Sequence, residues 1–373
     1  MQENNSGNNF ESIGTDGERR VDTETEKCPG CGSNMVFDPE SGCLMCPHCG
    51  TKKEFAKDTV AKELNLADAL SSKECYEPSE AVVFSCDNCG AKVVMPAGET
   101  AKVCPFCGTA HVTMSEELAG LKPNGLIPFA FGEEKAVSLS KEWAKKRFFA
   151  PKKFKKKLAA ENVNGVYTPC FTFDSVTTST YSGRIGTTHT RTVGSGKNRR
   201  TETYTVWRNI SGTYYKNFND VLISSGSKID QKKLDKIRPF GTDTGKVYEE
   251  KYMLGFMAYR YDSDISDCWG RAKGVMDSEL RRNILSQYVY DKVAYLNVST
   301  KHEAVTYKYV MLPVYVGNYN YAKKLYNFYV NGETGKVWGK YPKSVPKILT
   351  LVLIGLGIVG LGIWYYLKAN GYL

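Results

Sequence analysis

Eight cysteines in four CxxC pairs are the residues of this 373-residue chain whose spacing points to a definite chemistry. Cys28-Pro-Gly-Cys31-Gly is followed, after fourteen intervening residues, by Cys46-Pro-His-Cys49-Gly. Cys86-Asp-Asn-Cys89-Gly is followed, again after fourteen, by Cys104-Pro-Phe-Cys107-Gly, so one unit recurs with a 58-residue offset. A CxxC turn presents two thiolates from one knuckle, and two knuckles on a short hairpin arrange four soft ligands around a tetrahedral Zn2+. A glycine after each second cysteine lets the backbone fold back under the metal. The pattern predicts two structural Zn2+ ions, site 1 on Cys28, Cys31, Cys46 and Cys49 and site 2 on Cys86, Cys89, Cys104 and Cys107. Four thiolates leave no open coordination position, so these sites read as structural and not catalytic. Cys43 forms an alternative CxxC with Cys46, but the second unit has no counterpart, and Cys43 reads as a strand residue. His48, inside its knuckle, reads as solvent-facing.

No other catalytic pattern stands out. The sequence contains no GxSxG, P-loop, GxGxxG or HExxH, and His111, His189 and His302 are scattered without a recognisable partner. Cys170 lies in an apolar strand pattern and Cys268 on the core stripe of a helix; both read as buried packing. The expectation is a protein that is not an enzyme.

The elements that must position the cysteines follow from composition. Residues 1–26 are polar and acidic, with almost no large apolar side chains, and read as a disordered lead. Their opening, MQENNSGNNF, has no apolar stretch of the kind a secretory signal needs, so the cysteines are expected in a reducing cytosol, where CxxC pairs hold metal. Ribbon 1 is placed at 27–52 and ribbon 2 at 82–112, joined by a polar linker with a short helix at 53–81. From residue 122 to 345 the composition becomes globular. Residues 133–147 read as a helix, and Pro151 suits the first turn of another ending near Ala160. VYTPCFTFDS and the stretch Thr187–Ile223 alternate as strands do, around a GSGKNRR hairpin loop. Cys268, Ala272, Met276, Leu280 and Ile284 are spaced as one face of a helix, with Trp269 and Val275 widening the stripe. TYKYVMLPVYVGNYNY and a hairpin at Asn331-Gly332 close the region, and VYTPCFTFD and VMLPVYVGN resemble two copies of one strand. Residues 348–367 carry no charge over twenty positions, enough to cross roughly 30 Å of hydrocarbon, and Trp364, Tyr365 and Tyr366 supply an interfacial belt. The fold class is therefore multidomain: two small β zinc ribbons, an α+β middle domain and one C-terminal transmembrane helix acting as a tail anchor.

Charge divides the chain. Residues 1–27 carry a net −4 and residues 28–121 a net −6, whereas residues 122–347 carry +19. An acidic ribbon module is repelled by phosphate backbones, so the ribbons are expected to recognise protein, with nucleic acid the alternative. Lys145, Lys146, Arg147, Lys152, Lys153, Lys155, Lys156 and Lys157 fall within thirteen residues, interleaved with Phe148, Phe149 and Phe154. That cluster reads either as a solvated helix face or as a site for anionic membrane lipid or another polyanion. Lys340, Lys343 and Lys347 precede the apolar segment against Lys368 after it, which predicts a cytoplasmic N-terminal region.

Paired CPxCG-type ribbons followed by LIPF, RFFAPKKFKKK, GVYTPCFTFD, YKYVMLPVYVGNY, NGETGKVWG and a terminal anchor resemble bacterial membrane proteins described as TFIIB-type zinc-ribbon proteins, over about residues 27–367. Some of these are labelled primosomal helicase-like, a label without support here, since the chain has no nucleotide-binding loop. The pattern is similar to a Bacillus membrane protein that works beside a phage-shock-A homologue and an SPFH-domain protein. The resemblance implies cytoplasmic protein partners of that kind, recruited to the membrane under envelope stress by a non-enzymatic scaffold. The alternative expectation is a membrane-tethered nucleic-acid-binding protein.

Overall fold

The computed structural model describes residues 26–55, 59–71, 82–95, 104–109, 112–115, 121–157, 163–322 and 324–370. The acidic lead up to residue 25 and His111 lie outside the described residues. Strands β1 (Val36–Asp38), β2 (Cys43–Met45) and β3 (Lys52–Lys53) form the antiparallel sheet of ribbon 1. Then come β4 (Leu64–Asn65) and α1 (Leu66–Ser71), the short helix expected between the ribbons. Ribbon 2 contributes β5 (Val82–Cys86), β6 (Lys92–Met95) and β7 (Val112–Ser115), with β5 pairing antiparallel to both others.

The middle region is a mixed sheet flanked by helices. In order it holds β8 (Gly125–Leu126), α2 (Glu133–Lys145), α3 (Lys152–Lys157), β9 (Val163–Val193) and β10 (Arg200–Ser224). It continues with α4 (Gln231–Ile237), β11 (Lys246–Val247), β12 (Met257–Tyr259) and α5 (Ile265–Ser286). It ends with β13 (Lys292–Tyr321), β14 (Lys324–Asn331) and β15 (Val337–Gly339), before the terminal helix α6 (Val345–Ala369).

Two halves repeat within this region. A short strand and a helix open each half, and both begin 132 residues later in the second copy (125 to 257, 133 to 265). A long strand and its antiparallel neighbour follow, β9 with β10 and β13 with β14. The halves are cross-paired: β8 lies parallel to β13 of the other half, with Gly125 opposite Val310, and β12 lies parallel to β9, with Met257 opposite Val166. The two long strands run antiparallel, with Tyr167 opposite Pro313, Thr168 opposite Leu312 and Pro169 opposite Met311. The strand copies VYTPCFTFD and VMLPVYVGN therefore face each other across a local two-fold.

Strand periodicity sends alternate side chains to opposite faces. On one face Tyr167, Phe171, Phe173, Tyr309, Met311 and Tyr315 pack with α2 and α5; on the other Val166, Cys170, Val310, Leu312 and Val314 pack with α4. The α5 stripe is as the spacing predicts, with Cys268, Ala272, Met276, Leu280 and Ile284 fully buried and Asp264 capping the first turn by accepting from the Asp267 N–H. Val275 departs from it. Its side chain is 45% exposed and lines a groove with Phe218, Leu222 and Glu279, because a helix lying on a sheet buries only one narrow stripe.

Beyond this core β9, β10 and β13 continue together as a three-stranded arm, β10 pairing as far as Arg200–Val193 and β13 starting at Lys292 opposite Gly186. The sequence reading separated VYTPCFTFDS from Thr187, yet one strand of 31 residues runs through both. Helix α6 is long and apolar enough to cross a membrane, and its apolar window has no buried residue.

Candidate metal centres

All four knuckles share one backbone geometry. The N–H of the glycine after each second cysteine donates to the carbonyl of the first: Gly32 to Cys28, Gly50 to Cys46, Gly90 to Cys86 and Gly108 to Cys104, at 2.7–2.9 Å. Each of these glycines has a positive φ between 66° and 73°, a conformation that L side chains disfavour. The N–H of each leading cysteine donates in turn to the residue after the glycine (Ser33, Thr51, Ala91 and Thr109 carbonyls, 2.8–2.9 Å). Each knuckle is thereby closed by its own backbone hydrogen bonds.

These turns bring the thiols together as the spacing predicts. Cys28 Sγ lies 3.4 Å from Cys49 Sγ and Cys31 Sγ 3.5 Å from Cys46 Sγ; in the second cluster Cys86–Cys107 and Cys89–Cys104 are 3.6 and 3.7 Å apart. Within each cluster the four sulfurs lie within 4.8 Å of one another. A tetrahedron with metal–sulfur bonds of about 2.3 Å has edges of about 3.8 Å, so both clusters could hold a metal ion with all four thiolates. The Gly30 N–H points at Cys28 Sγ from 3.4 Å, a contact that supports a ligating thiolate. Hydrogen bonds from Ser33 hold the Cys31 thiol below its ordinary value, and the Thr51 hydroxyl at 3.1 Å does the same for Cys49. Burial pushes Cys104 well up, so an ion there must supply the charge that drives its deprotonation. Cys43 is buried in β2 beside Ser41 Oγ and belongs to neither cluster, and His48 is exposed.

The two ribbons occupy different positions in the fold. Ribbon 2 is built into the large sheet: β6 pairs antiparallel with β12, with Val94 opposite Ala258. Cys104, Pro105 and Phe106 of its second knuckle are buried, Phe106 packs on Tyr259 at 5.2 Å, and the Pro105 and Phe106 carbonyls accept from Asn318 and Asn327. The Lys228 ammonium donates to the Cys89 carbonyl. Ribbon 1 lies against the opposite face. There the Phe37 N–H donates to the Leu254 carbonyl and its ring packs edge-on against Tyr252 at 5.2 Å. Both knuckles of ribbon 1, residues 29–32 and 47–50, remain exposed.

The remaining candidate residues stay apart. Cys170 and Cys268 are both fully buried, and burial pushes the Cys268 thiol up to about 11. His189 stacks on Tyr204 in the arm, whereas His302 lies against Trp269 with Ser175 Oγ 3.2 Å from its Nδ1. Besides the two thiol clusters, three carboxylates, Glu63, Asp174 and Asp220, come together near the buried Lys308 ammonium, which lies 2.6 Å from Glu63 and 2.8 Å from Asp220. That ammonium already supplies the cation. Of the basic cluster, Lys145 and Lys146 end α2, Lys152 and Lys153 begin α3 and all four are exposed, while Lys155 donates to the Lys145 carbonyl. Arg147 lies 5.0 Å over Trp143 and 5.8 Å over Tyr341.

Over 326 residues the chain is 31% identical to uncharacterized protein YdjG of Bacillus subtilis (strain 168), covering 86% of this chain and 91% of that protein. The chain belongs to the YdjG family. No family model and no solved structure matches the chain.

Proposed function

We propose that the chain is a non-enzymatic scaffold, anchored in the membrane by α6, that recruits cytoplasmic proteins to the inner face through ribbon 1. The observation that carries this reading is the asymmetry of the two clusters. One ribbon is a structural part of the sheet, while the other presents both metal knuckles to solvent. Zn2+ is the ion that best suits eight thiolates in two tetrahedral sets, and it would stiffen the exposed knuckles into a fixed docking surface. Lysines 340, 343 and 347 before the span favour a cytoplasmic domain. The sequence resemblance suggests phage-shock-A-like or SPFH-domain proteins as the partner class, acting in envelope stress. The full burial of Cys170 and Cys268 makes neither thiol accessible as a nucleophile, which favours a binding role over catalysis.

Substituting Cys31→Ser and Cys49→Ser in the anchored full-length chain tests it. The expected result is one metal ion fewer per chain, loss of cross-linked partners, and retention in the membrane fraction. Unchanged partner capture with ribbon 1 emptied would refute the reading.

A further inference from the structure

The basic corner between α2 and α3 is joined directly to the start of α6. Lys347, in the first turn of that helix, donates from Nζ to the carbonyls of Phe148 and Ala150, both at 2.9 Å. The Ser344 N–H donates to the Phe149 carbonyl at 2.8 Å, and the Lys347 ammonium lies 5.6 Å over the Phe148 ring. Phe148 is nevertheless 65% exposed, while Phe154 behind it is fully buried and packs on Tyr319 at 4.8 Å. The Phe148 ring packs edge-on against Phe149 at 5.3 Å and is otherwise open, beside the residue that precedes an uncharged segment of twenty residues; with that segment in lipid its open face would meet an apolar environment. Residues 145–157 and 340–347 together carry eleven Lys and Arg and no Asp or Glu. Lys145, Lys146, Lys152, Lys153 and Lys343 are exposed around the ring.

We infer that this corner is a lipid-docking wedge: Phe148 enters the headgroup–acyl boundary and the surrounding lysines bind anionic headgroups. The inference rests on the proposal that α6 spans the membrane. Its ligand is the headgroup phosphate of an anionic bilayer, reached because the corner is held at the level where the anchor emerges. Apolar insertion and electrostatic attraction reinforce each other in such interfacial contacts. Because the backbone carbonyls of the corner are bound by the anchor's own lysine, wedge and helix move as one body. The sheet, and ribbon 1 on it, would then stand at a fixed orientation to the membrane instead of swinging on a tether.

The test uses the full chain in nanodiscs of phosphatidylcholine alone or mixed with phosphatidylglycerol in equal parts. Amide hydrogen exchange is followed over 145–157, with residues 166–173 of β9 as internal reference. Exchange at the corner is expected to slow by about tenfold in the anionic discs, with the reference unchanged. Lys152→Glu, Lys153→Glu and Lys155→Glu together should abolish the difference between lipids, and Phe148→Ser should raise exchange in both. Equal corner exchange in the two lipids, with the chain still resistant to carbonate extraction, overturns the wedge alone. Release by carbonate overturns the anchor and the wedge with it, whereas loss of partner capture bears on neither.

Discussion

The Phe106 ring packs edge-on against Tyr259 with centroids 5.2 Å apart, placing a residue from inside a CxxC knuckle in the hydrophobic core of the sheet. A metal held at the second cluster would therefore stabilise more than its own ribbon, because β6 and the Cys104–Cys107 turn are structural parts of the large domain. Cys104→Ser should lower the stability of the whole domain by on the order of 3 kcal/mol, while Cys49→Ser at the exposed knuckle should cost it much less. Thermal unfolding of detergent-solubilised protein, monitored by the near-ultraviolet signal of the core tyrosines, distinguishes them. Equal shifts for the two variants would refute the structural role assigned to ribbon 2.

The four knuckle glycines provide a finer test of the same asymmetry. An alanine at Gly50 meets no atom within 4 Å, so Gly50→Ala bears only the strain of the left-handed backbone, about 1–2 kcal/mol. At Gly108 a Cβ would also come within 2.9 Å of Asn318 Oδ1, whose side-chain amide donates to the Pro105 carbonyl. Gly108→Ala should therefore lose metal to a chromophoric chelator more readily than Gly50→Ala. Competition titration of each variant checks the order.

The parts of this fold legible in the sequence are those encoded over short separations. Each knuckle needs only five consecutive residues, and the α5 stripe only a helical period, so both follow from spacing. Pairing across the chain does not. Gly125 meeting Val310 and Met257 meeting Val166 depend on two halves folding together, and two-residue strands carry too little pattern to reveal themselves. The polar linker was illegible for a related reason. Leu64 and Asn65 look like spacer residues, yet they pair with Tyr307 and Thr306 and bring Glu63 to Lys308. Lys308 itself sits in a run of tyrosines and valines, and its burial makes sense only once the carboxylates from distant segments are seen around it. The exposure of both knuckles of one ribbon and the burial of Cys104, Pro105 and Phe106 in the other also had no local signal, since the two units share the same spacing.

The Lys308 ammonium ties three segments together. It reaches Glu63 from the segment between the ribbons and Asp220 from β10, and the Asp220 N–H donates to Asp174 Oδ1 of β9 at 2.7 Å. Removing the cation leaves the half-buried Asp174 and Asp220 carboxylates and the exposed Glu63 carboxylate facing one another. Lys308→Met should destabilise the domain by roughly 3–5 kcal/mol and release the segment carrying Glu63. Limited proteolysis between the ribbons, compared with the parent chain, reads that release. The double variant Lys308→Met with Asp220→Asn should recover part of the loss, because it removes one of the stranded charges.

The same cluster sets a pH dependence whose sign is fixed by the direction of the shift. Burial acts to lower the Lys308 ammonium, but hydrogen bonds to Asp220 and Glu63 outweigh it and hold the group above its ordinary value. A lysine raised in the folded state binds its proton more tightly there than in the unfolded chain. Its stabilisation is therefore complete below the ordinary lysine value of about 10.4 and disappears as pH rises through the raised one. Asp174 is shifted upward as well, chiefly by burial, so its ionisation near neutral pH costs stability that the Lys308 charge offsets. Loss of that ammonium in alkali should then loosen the segment carrying Glu63 before the domain unfolds. Proteolytic sensitivity between the ribbons should rise above about pH 10.5 in the parent chain. Lys308→Arg, whose guanidinium stays charged, should shift that rise to higher pH, and a rise at the same pH in both proteins would show that Lys308 is not the group responsible.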